Sequence, residues 1–102
     1  MTLQQIRSDL KEIRYYYAHK DTFDRMKTVA ESCVVKISQR YNDAIKSAPV
    51  ILYDLYMTIY VLNNTQESVA DDWDKSFSYV RKLHDKLLQY FQSQLTDKEV
   101  HQ

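Results

Sequence analysis

Fourteen lysines and arginines, fourteen aspartates and glutamates, three histidines and one cysteine are the side chains with which this chain could do acid, base, metal or ionic chemistry. Few of them assemble into a reactive site. Asp71 and Asp72 stand side by side like a pair of working carboxylates. Adjacent positions on a helix point about 100° apart, however, so ordinary surface charge is the better account. His19, His84 and His101 share no metal-ligand spacing and are expected to face solvent. Cys33 is the only cysteine, which leaves no internal disulfide and no thiolate cluster for zinc; a small buried hydrophobe in a reducing compartment is expected. The chain has no glycine at all. Phosphate-cradling loops, dinucleotide fingerprints and nucleophile elbows need glycine where backbone must approach closely, so none of them can be present. With no nucleophile, base and orienting group to combine, the expectation is a protein that is not an enzyme and uses no cofactor or metal.

What remains is recognition, and that depends on the elements that present the side chains. One stretch, "VADDWDKSFSYVRKL", residues 69 to 83, reads as two short helices joined by a tight turn. In a helix-turn-helix the two helices cross closely, which calls for a small residue on the first, a chain reversal, and an aliphatic anchor on the second. Ala70, Asp74 and Val80 hold those positions, with Val69, Trp73 and Leu83 as apolar neighbours. The turn residue departs from the usual glycine. Aspartate reaches the left-handed conformation at a cost on the order of 1 kcal/mol relative to glycine.

The rest of the chain reads as helix. Zero glycines and a single proline remove the usual residues for sharp strand turns, so an all-α protein of about five helices is expected. Thr2 and Gln5 have capping-box spacing, and Leu3, Ile6, Leu10, Ile13 and Tyr17 then recur every three or four residues. A break falls near His19 to Asp21, with Asp21 as the next cap. Phe23, Met26, Ala30, Cys33, Ile37, Tyr41 and Ala44, widened by Val29, Val34 and Ile45, predict one long second helix, antiparallel to the first. Ser47 or Ala48 should end it, with Pro49 in the first turn of a third helix carrying Ile51, Leu52, Leu55, Tyr56, Ile59 and Leu62. That helix is apolar almost all round at its start, through Val50, Ile51, Leu52 and Tyr53, which predicts a central, covered position. "NNT" closes it, asparagine tolerating the left-handed region, and Thr65 caps a short fourth helix from Gln66 to Asp72. Ser76 caps the fifth, whose stripe is Val80, Leu83, Leu87, Tyr90 or Phe91, and Leu95; Thr96 to Gln102 should fray. Of the nine tyrosines, Tyr41, Tyr53, Tyr56, Tyr60 and Tyr90 are expected to serve packing rather than base stacking.

The stretch "NNTQESVADDWDKSFSYVRKLHDKLLQYF" resembles the region-4 helix-turn-helix of sigma-70-type transcription factors, "TQESVA" and the spaced "S-x-S-Y-V-x-x-L" being its most specific parts. The wider pattern, "EIRYYYAHKDTFD", "YNDAIKSAP", "LYDLY" and "NNTQES", is similar to small transcriptional regulators encoded by phages and mobile elements of Gram-positive bacteria, which append this fold to an N-terminal helical pair. The resemblance implies that the fifth helix enters a major groove of double-stranded DNA with Phe77, Ser78, Arg81, Lys82 and Asp85 outward. Arg81 is then the base reader, since a guanidinium can bind guanine O6 and N7 together. Lys82 and Lys86 meet phosphates, and Gln66 matches a position that contacts the backbone. Phe77 stands where a polar reader is usual, and Asp71, Asp72 and Asp74 add negative charge beside the groove. A single copy is thus expected to bind weakly unless a homodimer doubles the contacts or the first half of the chain adds phosphate contacts.

That first half is the basic one. Residues 1–48 carry 9 Lys/Arg against 6 Asp/Glu, whereas residues 49–102 carry 5 against 8. Phosphate neutralisation supplies much of the affinity for nucleic acid, so the asymmetry matters. Tyr15, Tyr16 and Tyr17 cannot all face one core, and exposed aromatics are enriched at interfaces, which marks them as a dimer or partner interface. The reading is therefore one domain over residues 1–102: a helical pair over 1–48, a helix-turn-helix subdomain over 49–95 and a frayed tail over 96–102. No run approaches the roughly 20 apolar residues of a membrane span, and Met1 to Leu10 is polar and charged, so a cytoplasmic protein is expected, a bacterial one by what the resemblance implies. The alternative is a protein-binding module that keeps the helix-turn-helix but acts on a host or phage regulator or on RNA polymerase.

Overall fold

The computed structural model describes residues 1–26 and 29–100, and over them the chain is all-α. The helices are α1 (Leu3–Ala18), α2 (Lys20–Met26), α3 (Val29–Ile45), α4 (Val50–Tyr56) continued by a π turn (Met57–Val61), α5 (Gln66–Asp72) and α6 (Phe77–Val100). Side-chain caps start three of them. Thr2 accepts from the Gln5 amide, Thr65 from the Ser68 amide and Ser76 from the Tyr79 amide, at 3.0, 3.1 and 3.1 Å. Each satisfies a backbone N–H that a helix start leaves without an internal partner.

One hydrophobic core runs through the described residues. It is built by Ile6, Leu10 and Ile13 of α1, Tyr41, Ala44 and Ile45 of α3, Leu52, Leu55 and Tyr56 of α4, Ile59 of the π turn, Val69 and Ala70 of α5, and Val80, Leu83, Leu87, Leu88, Phe91 and Leu95 of α6. Phe91 sits at its middle, with Tyr41, Tyr56 and Tyr90 edge-on at centroid distances of 4.9, 5.6 and 5.9 Å, the arrangement that ring quadrupoles favour. The first half of the chain shares this core with the second, because α1 packs on α3, α6 and the π turn alike.

Polar groups enter the core only with partners. Asp9 shares the inward face of α1 and is buried; it accepts from the Tyr41 hydroxyl at 2.7 Å and from Gln5 Nε2 at 3.1 Å. Burial and the adjacent Asp9 carboxylate push the Tyr41 phenol well up from its ordinary range. Tyr17 accepts from Ser38 and Asn42, and Tyr56 donates to Asn42 Oδ1, tying α1, α3 and α4 together. Among the described residues, no buried side-chain nitrogen or oxygen lacks a partner.

Several expectations are corrected. The described parts of the second predicted helix are α2 and α3; α2 begins at Lys20, so Asp21 lies in its first turn rather than at its cap. Lys27 and Thr28 lie outside the described residues, as do the side chains of the stripe positions Phe23, Met26, Val29 and Ala30. Cys33 is exposed, not buried, because the neighbouring helices cover the C-terminal part of α3, where Ser38, Tyr41, Ala44 and Ile45 are inside. Pro49 is the residue before α4 rather than inside its first turn. Nor is α4 covered all round: Val50, Ile51 and Tyr53 are exposed, by 74% for Val50, since the helix lies at the edge of the bundle. Leu62, expected on its inward stripe, is 66% exposed. The π turn explains this, because one extra residue in the turn rotates Leu62 off the inward face. The last helix runs to Val100, with His101 and Gln102 outside the described residues.

Candidate nucleic-acid interface

The reversal between α5 and α6 is made by Asp74 at φ 53°, in the left-handed region. The Lys75 amide donates to the Ala70 carbonyl at 2.9 Å and the Asp74 amide to that of Asp71 at 3.3 Å, which closes the end of α5 with the bond pattern a glycine usually serves. Val69, Ala70, Val80 and Leu83 are buried where the helices meet, and Trp73 packs against the same core. The small residue, the left-handed reversal and the aliphatic anchor therefore occupy the three places the sequence assigned them. Asn63 plays the same part after the π turn, at φ 64°.

Along α6, Phe77, Ser78, Arg81, Lys82, Asp85 and Lys86 are all exposed, and Gln66 is half-buried at the start of α5. They do not converge on one point. At about 100° per residue, Lys86 lies about 140° around the helix from Arg81, so the two flank opposite sides of the outward face. Arg81 lies over the Phe77 ring, its guanidinium carbon 5.9 Å from the centroid. A cation over an aromatic face is held without losing its charge or its outward donors, so Phe77 orients Arg81. Lys75 and Tyr79 are similarly paired at 5.4 Å.

Gln66, Phe77 and Arg81 share a cleft with residues that local spacing did not single out. Lys11 and Arg14 of α1, Ile59 and Tyr60 of the π turn, and the Asn64–Glu67 segment complete it, around about 560 Å³ of open space. Arg14 is fixed there by the left-handed turn: its Nε donates to Asn63 Oδ1 at 2.7 Å and its Nη2 to the Asn64 carbonyl at 3.4 Å. A signal was available, since Arg7, Lys11 and Arg14 repeat at steps of four and three and so share a helix face. That this face meets α6 was not readable from the same repeat. Asp71, Asp72 and Asp74 are exposed and lie outside the cleft, leaving Glu67 as the acidic residue that lines it.

His84 is half-buried rather than solvent-facing as expected, and shares a 2.5 Å hydrogen bond with the Tyr60 hydroxyl. Burial pushes its pKa down from the ordinary value of 6.5, Arg7 adding to the effect and Asp85 opposing it. Burial likewise pushes the Tyr60 phenol up to about 12, against the pull of Arg14 and Arg7. The pair is therefore neutral near pH 7 and adds no charge to the cleft.

Of the three aromatic residues expected at an interface, Tyr15 is 58% exposed and stacks on His19, Tyr16 is buried, and Tyr17 is half-buried in the Ser38 and Asn42 network. Among the tyrosines expected to pack inside, Tyr41 and Tyr56 are buried and Tyr60 and Tyr90 half-buried, whereas Tyr53 is exposed. Among the described residues, no helix is long and apolar enough to cross a membrane. Comparison with protein-family models, with curated proteins and with solved structures finds no match to this chain.

Proposed function

We propose that this chain is a sequence-specific, double-stranded-DNA-binding transcriptional regulator of a phage or mobile element, working in the bacterial cytoplasm with α6 as its reading helix. The observation that carries the reading is the α5–α6 unit, whose left-handed Asp74 sets α6 with Arg81 outward on a rigid core. Arg81 is the base reader, and Lys82 and Lys86 face the phosphates on one side of the groove. A homodimer through the first helices, using the exposed Tyr15, doubles these contacts; a monomer by analytical ultracentrifugation at high micromolar concentration would remove that part. The test of DNA reading is fluorescence anisotropy with DNA from the gene's own neighbourhood. Arg81→Ala should lose about 1–3 kcal/mol of discrimination against the wrong base while retaining nonspecific binding. Equal affinity of wild type and variant for every sequence would refute the groove assignment.

A second reading rests on the exposed apolar residues Val50, Ile51 and Tyr53 of α4 and Leu62 after the π turn. Isolated apolar residues on a surface need no explanation, whereas several on one element mark a contact surface for protein. In this reading the chain acts on a host or phage regulator or on RNA polymerase. Heparin chromatography separates the two, because a DNA binder elutes at appreciable salt and a protein-binding module flows through.

A further inference from the structure

The cleft between α1 and the α5–α6 unit draws together cations from distant parts of the chain. Lys11 and Arg14 come from the basic first half and Arg81 from the acidic second half, and all three line the same space. Among the described residues none of the three pairs with a carboxylate. Arg14 is held instead by neutral oxygens, Asn63 Oδ1 and the Asn64 carbonyl, so its position is fixed while its charge stays available. Like charges gathered at one place repel one another, and a concave site with low-dielectric walls focuses their field outward, which an anion relieves. The lining mixes the apolar Ile59, Tyr60 and Phe77 with the polar Asn64, Thr65 and Gln66, and Glu67 offsets one of the three positive charges, which leaves an excess of two.

We infer that this cleft seats a phosphodiester of the DNA strand that borders the groove occupied by α6, with Lys11 and Arg14 as the contacts from α1. The inference rests on α6 being the reading helix and extends it to a part of the chain outside the α5–α6 unit. Geometry supports the assignment. Phe77 lines the cleft and lies about 180° around α6 from Lys86, with Arg81 between them, so the two flanks can face the two phosphate ridges that border one groove while Arg81 points between them. The basic α1 then supplies what the acidic second half lacks. A phosphate contact carries no sequence information, so the cleft sets affinity and orientation while Arg81 sets preference.

The test is the salt dependence of binding to the preferred DNA and to a scrambled duplex, for wild type, Lys11→Gln and Lys36→Gln. Lys36 is an exposed lysine of α3 outside the cleft, and its substitution removes the same charge. Loss of one phosphate contact lowers the slope of log K against log salt by about 0.9, which amounts to about five-fold weaker binding at 0.15 M salt. Lys11→Gln should show that loss equally on both duplexes, keeping the preference between them, and Lys36→Gln should match wild type. Arg14→Gln should act in the same direction, with circular dichroism confirming that the fold survives loss of its bonds to the Asn63 turn. If wild type binds selectively and both lysine variants share its slope, the cleft assignment is overturned and α6 remains the reader. If folded wild type binds neither duplex, both proposals fall.

Discussion

The glycine-free turn offers a test of how the α5–α6 unit is held. Asp74 sits at φ 53° with its side chain exposed, and the amides of residues 74 and 75 bond back to Asp71 and Ala70. Three terms change in Asp74→Gly. Relief of a non-glycine residue in the left-handed region contributes about 1 kcal/mol. Removing a negative charge from the C-terminal end of a helix contributes about 0.3–1 kcal/mol. Against these, glycine gives the unfolded chain more freedom, costing about 0.5–1 kcal/mol. The sum favours the variant by about 0.3–1.5 kcal/mol. For a domain of this size that is a rise in Tm of about 1–12 °C. The same backbone demand makes Asp74→Val destabilising, since a β-branched residue tolerates positive φ worst. Thermal unfolding followed by circular dichroism should rank the proteins Gly above Asp above Val with unchanged native spectra. A glycine variant less stable than wild type would mean that the aspartate carboxylate holds the turn and that the strain argument is wrong.

Buried polar groups give two further tests. Tyr41→Phe keeps the ring packed on Phe91 but takes the hydroxyl donor from the buried Asp9 carboxylate, which keeps its bond from Gln5, so chemical denaturation should show a loss of about 1.5–3 kcal/mol. For His84 the folded pKa lies below the ordinary 6.5, so the unfolded chain binds the proton more readily between those two values. Its contribution to stability is therefore complete above about pH 6.5 and is lost as pH falls toward the depressed folded value. Tm measured downward from pH 7 should drop in wild type and drop less in His84→Gln; parallel profiles would exclude His84 as the source.

Much of the local structure is legible in the residues. Thr2, Thr65 and Ser76 cap helices because a short hydroxyl side chain meets the free amides of a first turn, and that interaction spans three residues. The left-handed positions at Asn63 and Asp74 arise in the same way, from which non-glycine residues tolerate positive φ where a helix must stop. The stripes of α1 and α6 were readable because inward positions repeat at the helical period over many turns. The π turn was not, since it comes from one extra residue accommodated in packing, and it turns Leu62 outward against the stripe. The exposure of Val50, Ile51 and Cys33 likewise depends on which neighbours reach that part of a helix.

From sequence alone came the all-α class, the starts and stops of most helices, and the Ala70, Asp74 and Val80 framework, all governed by interactions between residues close in the chain. The tertiary structure decided that Asp9 meets Tyr41, that His84 is sheltered by Tyr60, and that Lys11 and Arg14 share a cleft with Arg81. Those contacts join positions from 24 to about 70 residues apart. Helical spacing says which side of a helix a residue occupies and nothing about which other helix lies opposite, because that is chosen by the packing of the whole core at once.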